Sequence, residues 1–204
     1  MTRSAPRPRL LALAAWLAGV WTWAAIAPFD RRDWLLENLL VFAYVGLLAA
    51  TYRRFAFSDR TYALFTMFLS LHLVGSHYTY SLVPIGAWLQ DALDLSRNHY
   101  DRFVHFSYGF LLAPAFREAL VGLAGTPPRM AAFLAVNLVL AFSAFFEVVE
   151  VLVAIIVSPE LGDAYLGTQG DPWDAQKDMG LALLGASLTS AMLAWRARGR
   201  PIPS

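Results

Sequence analysis

The stretch MAAFLAVNLVLAFSAFFEVVEVLVAIIV, residues 130–157, decides the fold. It contains no Lys or Arg, and its only ionisable residues are Glu147 and Glu150. A helix needs about 20 apolar residues to cross a hydrocarbon core of about 30 Å. This run exceeds that length, so it tilts or carries one end beyond the core. Working outward, five more apolar stretches of spanning length lie at 10–28, 34–52, 61–80, 103–123 and 173–195. Pro114 falls inside the fourth stretch, where a proline removes a helical hydrogen bond and predicts a kink. The expectation is an all-α, polytopic integral membrane helical bundle of about six transmembrane helices. It forms a single transmembrane domain over 1–204.

Composition agrees. Of the 204 residues 58% are hydrophobic and 15% charged, with a mean hydropathy of +0.49. A soluble domain averages about 25% charged residues, so this chain has too little polar surface to cover a water-soluble globule. The absence of cysteine excludes a disulfide framework and thiolate metal sites. A net charge of +1 gives no electrostatic basis for a nucleic-acid partner. Membrane lipids are the expected surroundings, and the oligomeric state is not legible. Arg3, Arg7 and Arg9 precede the first stretch and Ala25-Ile26-Ala27 resembles a cleavage site, but Pro28 follows it. The apolar run also exceeds a normal signal core, so it reads as a retained helix.

Basic residues set the expected orientation. With the N-terminus inside, eleven fall on the inner side: Arg3, Arg7, Arg9, Arg53, Arg54, Arg60, Arg117, Arg129, Arg196, Arg198 and Arg200. Five fall outside, namely Arg31, Arg32, Arg97, Arg102 and Lys177. This predicts a multi-pass protein of the bacterial plasma (inner) membrane with both termini cytoplasmic.

The polar residues gather at the outer ends of spans four to six. Asp101 and His105 are i,i+4, Glu147 and Glu150 i,i+3, and Asp174 and Asp178 i,i+4, so each pair shares a helix face. All four histidines, His72, His77, His99 and His105, lie in the same half of the membrane. Intramembrane ionisable groups are costly and face the bundle interior. The pairs therefore converge on one pocket, with Ser143 a turn from Glu147 and Gly185 allowing close helix approach. Five carboxylates meet two nearby cations, Arg102 and Lys177. Like charges in a low-dielectric site cannot all remain ionised, so protons or a bound cation must balance them.

The expected catalytic set is Asp101, His105, Glu147, Glu150 and Asp178, with Asp101 orienting His105. The expected metal set is His77, His105, Glu147, Glu150, Asp174 and Asp178. The donors suit Zn, Mn, Fe or Mg. Interfacial ion pairs of Arg102 and Lys177 with Asp101, Asp174 or Asp178 are the structural alternative. His72 reads as a packed histidine bonded to Ser76 or a neighbouring helix, and His99 as a loop residue. Asp171-Pro172 reads as an N-cap followed by an N1 proline. Arg117-Glu118 reads as a local interfacial pair.

Five segments carry a resemblance: GSHYTY at 75–80, NHYDRFVHF at 98–106, Arg117-Glu118, FEVVE at 146–150 and GTQGDPWDAQKD at 167–178. They resemble the YjdF family of bacterial inner-membrane proteins, of unknown function. The resemblance implies an integral membrane protein and no particular reaction. Asp101-Arg102-x-x-His105 and the spaced Asp174, Asp178 and Gly185 are also similar to VanZ-like membrane proteins, associated with tolerance to glycopeptide antibiotics. Glu147-x-x-Glu150 departs from the Glu-Gln pattern expected there.

Three functions compete. The first is a metal-dependent enzyme acting on a lipid-linked envelope substrate, with the periplasmic-side His/carboxylate site activating water. The second is a cation- or proton-binding transport protein, and the third a structural membrane subunit. A lateral opening toward lipid beside the pocket would favour lipid binding or processing.

Overall fold

A computed structural model describes residues 7–198 of the chain. Among these the regular structure is helical throughout. Six long helices, α1 (Pro8–Ala25), α2 (Arg31–Thr51), α3 (Asp59–Tyr78), α5 (Tyr100–Ala124), α6 (Pro128–Ile156) and α8 (Asp174–Arg198), match the six apolar stretches. Three of them are long and apolar enough to cross a membrane by length and composition: Arg31–Thr51, Pro128–Ile156 and Asp174–Arg196. Two short helices, α4 (Pro84–Ala92) and α7 (Pro159–Leu166), lie between the apolar stretches.

Local sequence explains the boundaries. Asp30 caps α2, its carboxylate accepting from the amides of Arg32 (2.7 Å) and Asp33 (3.0 Å). Ser58 caps α3 and Ser158 caps α7. Pro8, Pro84, Pro128 and Pro159 open their helices, where a missing amide costs nothing. Gly125 ends α5 with a positive φ of 61°. Helix α5 continues through Pro114 without interruption.

Helix α5 is the centre of the bundle, packed against α8, α6 and α3. Its close approach to α8 is made by glycine on both sides. A Cβ on Gly109 would overlap the Ala182 carbonyl oxygen, and one on Gly185 the Phe106 carbonyl oxygen. The expected role of Gly185 is therefore seen, with Gly109 as its counterpart. Phe68, Leu69, Leu112, Val139, Ala182 and Ala186 fill the core around this contact. The outer surface of α6 is apolar, with Phe133, Phe145 and Ile155 well exposed, as suits a lipid-facing helix.

One end of the bundle gathers the start of α5, the end of α6 and the start of α8. The Phe29 amide donates to the His77 carbonyl (2.9 Å), tying the α1–α2 turn to the end of α3 nearby. At the opposite end Glu118 accepts from the Ser58 amide (2.5 Å), the Ser58 hydroxyl (2.9 Å) and the Thr61 hydroxyl. Glu118 thus completes the α3 cap, rather than forming the local pair with Arg117 that the sequence suggests.

Candidate functional site

Helix α5 presents Asp101 and His105 from its first two turns, on the face that the i,i+4 spacing predicts. His105 is buried. Its Nε2 lies 3.5 Å from Asp101 Oδ1 and 3.7 Å from Glu147 Oε1 of α6. Asp178 of α8 completes the group: one ligand atom each from Asp101, His105 and Asp178 lies within 4.8 Å of the others. Three helices therefore deliver one imidazole and three carboxylates to one place. Glu147 Oε1 and Asp178 Oδ1 are buried and make no hydrogen bond. Buried acceptors are normally paired, which sets these two atoms apart from the rest of the core.

Two residues of the expected metal set stand apart. His77 turns to α1, where its ring stacks on Trp23 (centroids 4.5 Å apart) and Nδ1 donates to the Ala24 carbonyl at 3.1 Å. Asp174 is held by arginine: Arg97 Nη1 donates to it, and Arg102 Nη2 lies 3.4 Å away. The ion pair of the structural alternative is seen between Arg102 and Asp174, whereas Lys177 pairs with Asp171, and among the described residues neither Asp101 nor Asp178 is bridged by an arginine or lysine.

Arg97 is the cation that sequence reading left in a loop. It is buried, and besides Asp174 it donates to the carbonyls of Thr168 (3.0 Å) and Gly167 (3.2 Å). Asn98 and Gln169 exchange two hydrogen bonds of 3.0 Å between the same segments. The 167–171 turn is thus clasped onto the start of α5. Gly167 (φ 59°) and Gly170 (φ 83°) take left-handed conformations there.

Asp171 is not the N-cap expected of it, because α8 begins at Asp174, two residues beyond the expected N1 proline. Its carboxylate accepts from the Trp173 amide (3.0 Å), from Lys177 (2.6 Å) and from Arg102. The Lys177 bond, with the Trp173 amide and Arg102, holds the Asp171 carboxyl well below its ordinary value of 3.8. A depressed carboxylate contributes stability above its ordinary pKa and loses it as pH falls through the lowered value. The clasp therefore persists through the whole neutral range. His99 occupies the N-cap position of α5 without a side-chain capping bond, and burial together with the Arg102 charge lowers its pKa.

The cluster borders a cavity of about 430 Å³. Its polar end is lined by Asp101, His105 and Glu150, and by Glu37 and His72 from α2 and α3. The rest is mainly apolar, with Leu39, Ala43 and Leu47 on α2 facing Phe142, Phe145 and Val149 on α6, and Ser143 and Tyr108 among them. These two walls scarcely pack against each other, α2 leaning on α3 and α7 instead. Leu39, Leu47, Phe142 and Phe145 are each more than half exposed at the edges of this gap. The polar cluster is therefore joined to a crevice that opens sideways between two apolar helices.

Glu37 is the site residue that sequence reading missed. The signal was present in LLENLL at 35–40, where Glu37 is the one ionisable carboxylate of the 34–52 apolar stretch. His72 is packed against a neighbouring helix, as expected, though through other partners than Ser76. Its Nε2 donates to the Glu37 carbonyl (3.0 Å), and its Nδ1 accepts from the Tyr80 hydroxyl (2.5 Å).

Comparison with known proteins adds a family and no activity. No solved structure matches the chain. Inner membrane protein YjdF of Escherichia coli (strain K12) is 40% identical over 195 residues, covering 95% of this chain and 93% of that protein. The model of a family described as predicted membrane protein (DUF2238) matches residues 9–199. With nearly its full length matched in both comparisons, the chain belongs to the DUF2238 family of membrane proteins, to which its likeness to YjdF also points.

Proposed function

We propose that this protein takes an amphiphile from the bilayer through the α2–α6 crevice and acts on its polar end at the His105 cluster. The observation that carries this reading is the continuity of the cavity, apolar between α2 and α6 and ionisable at Asp101, His105 and Glu150. Ligand sites of this kind combine a mainly apolar lining with a few convergent polar groups. The apolar part suits an acyl or isoprenoid chain, and the cluster suits the head of a lipid-linked envelope substrate.

The chemistry proposed is hydrolytic, assisted by one divalent ion held by Asp101, His105 and Asp178. One nitrogen and two oxygen donors suit Zn, Mn or Fe. Glu147, 3.7 Å from His105, is placed to receive a proton from water activated there. An ion or proton pathway has less support, because the cavity walls toward the Glu118 end include Leu47, Phe116 and Phe142. The cluster end is proposed to face the periplasm, with both termini cytoplasmic, on the eleven-to-five distribution of basic residues.

Elemental analysis of gently purified protein tests the metal. The expected result is about one transition-metal ion per chain, lost in Asp178→Asn without loss of the helical fold. Chelation should lower the melting temperature of the wild type and leave the variant unchanged, since a ligand of the native state stabilises it by linkage. A metal-free wild type that ignores chelator would contradict the metal-assisted reaction.

A further inference from the structure

Asn137 stands where a polar side chain is least expected. Helix α6 turns Ala135 and Val139 into the core, both fully buried. Each lies two residues from Asn137, about 200° around a helix of 3.6 residues per turn, so Asn137 projects directly away from the bundle. It is exposed. Met130, Phe133, Ala141, Val148 and Ile155 lie within about 40° of it around the helix, and all are exposed. The crevice residues Phe142 and Val149 lie about 120–140° away, so this face is separate from the α2–α6 opening. Asn137 follows Arg129 by eight residues, a rise of about 12 Å, which sets it inside a hydrocarbon core of about 30 Å. Lipid tails offer an amide nothing to bond. Its Nδ2 donates to the Phe133 carbonyl at 2.8 Å, and among the described residues its second N–H and its Oδ1 have no partner.

We propose that α6 pairs with α6 of a second copy of this chain, the two Asn137 amides bonding to each other across a two-fold axis normal to the membrane. Copies inserted in one orientation share their depth, so such an axis sets each residue of the contact opposite itself. That condition selects the side chain. Two like charges would repel there. Two carboxamides each carry donor and acceptor, so they can exchange N–H···O bonds reciprocally. The N–H and the oxygen left over on Asn137 are the two groups this exchange uses. A different partner would need its own polar group at the same depth, whereas a second copy supplies it by symmetry. The surrounding residues fit a helix pair. Met130 and Asn137 are seven residues apart, and Ala141, Val148 and Ile155 continue at intervals of seven from four residues on, the alternating repeat of a left-handed crossing. Ala141, one turn from Asn137, lets the two backbones approach. No Asp, Glu, Lys or Arg lies on this face between Met130 and Ile155. The contact leaves the crevice mouth open and does not depend on the amphiphile reading.

The experiment measures association in a bilayer. Full-length protein carrying Asp94→Cys is labelled with donor or acceptor dye and reconstituted together in phosphatidylcholine vesicles. Energy transfer is followed as the protein-to-lipid ratio is lowered. The otherwise native chain should transfer energy well above the level of random proximity. Asn137→Leu should need at least about tenfold more protein per lipid to reach the same transfer, since two interhelical hydrogen bonds are lost in hydrocarbon. Asn137→Gln, which keeps the amide, should associate like the native chain. Leucine at this position faces lipid, so the melting temperature of Asn137→Leu should not fall. In native membranes Ala141→Cys should form a disulfide with its own copy on mild oxidation, doubling the chain mass. Met67→Cys, exposed on α3, should not. Transfer at the random level at every density would overturn the pairing, as would Asn137→Leu that associates like the native chain. Equal cross-linking at Met67 and Ala141 would mean chance collision and would overturn the contact. Cross-links of Ala141→Cys only to other proteins would overturn the second copy as the occupant of this face. The cross-link does not use the Asn137 variants, so a failure of either to fold leaves the proposal open to refutation.

Discussion

His105 is where the account is most exposed at the level of single side chains. Its Nε2 is the atom to which Asp101 and Glu147 come closest, and Asp178 lies within ligand distance of the same group. The neutral variants Glu147→Gln and Glu150→Gln therefore separate two accounts of the acidic residues. Gln nearly preserves the shape and removes the charge. If the carboxylates were only a buried electrostatic cost, neutralisation would leave stability unchanged or raise it. In the proposed site, Glu147→Gln should abolish turnover while the metal stays bound, because Glu147 handles the proton and lies outside the three-residue ligand group. Metal content and melting temperature measured on the same samples check this, and a Glu147→Gln protein that has lost its metal would make Glu147 a ligand instead. The Asp101–His105 pairing was legible from an i,i+4 spacing. The partition between cluster and clasp was not, because it depends on where Arg97 reaches. A loop arginine 77 positions from Asp174 carries no periodic signal of its partner.

Helix α5 sets the geometry of the site, and its contact with α8 is what fixes Asp178 against His105. Gly109 and Gly185 let the two backbones approach within side-chain-free distance. Gly109→Leu should force α5 and α8 apart, at a cost of at least the about 1–3 kcal/mol typical of an overfilled core. It should also lose the metal although every proposed ligand remains. A melting curve with metal analysis measures both, and a variant of wild-type stability with full metal would contradict the close packing. All six long helices were legible in the sequence, because spanning length and apolar composition are local properties. The short α4 and α7 were not, since at nine and eight residues they fall below the length at which composition announces a helix. The gap between α2 and α6 was not legible either. It arises from α2 leaning on α3 and α7, a tertiary choice that no single helix pattern records.

For the molecule as a whole, the account places the clasped 167–171 turn, the start of α5 and the cluster on the outer side of the membrane. A cysteine introduced at Asp94, in a chain that has none of its own, should react with an impermeant maleimide in intact cells. Labelling only after the inner face is opened would reverse the orientation. The central claim is that the crevice between α2 and α6 admits an amphiphile to the His105 cluster. Ala43 lies on the crevice wall and is exposed, so Ala43→Trp fills the crevice without disturbing the buried core. The most direct measurement is native mass spectrometry of wild type and Ala43→Trp extracted from the same membranes. The account predicts a bound long-chain amphiphile on the wild type, absent from an Ala43→Trp protein of equal thermal stability. An identical amphiphile load on both proteins, or none on the wild type, would contradict it.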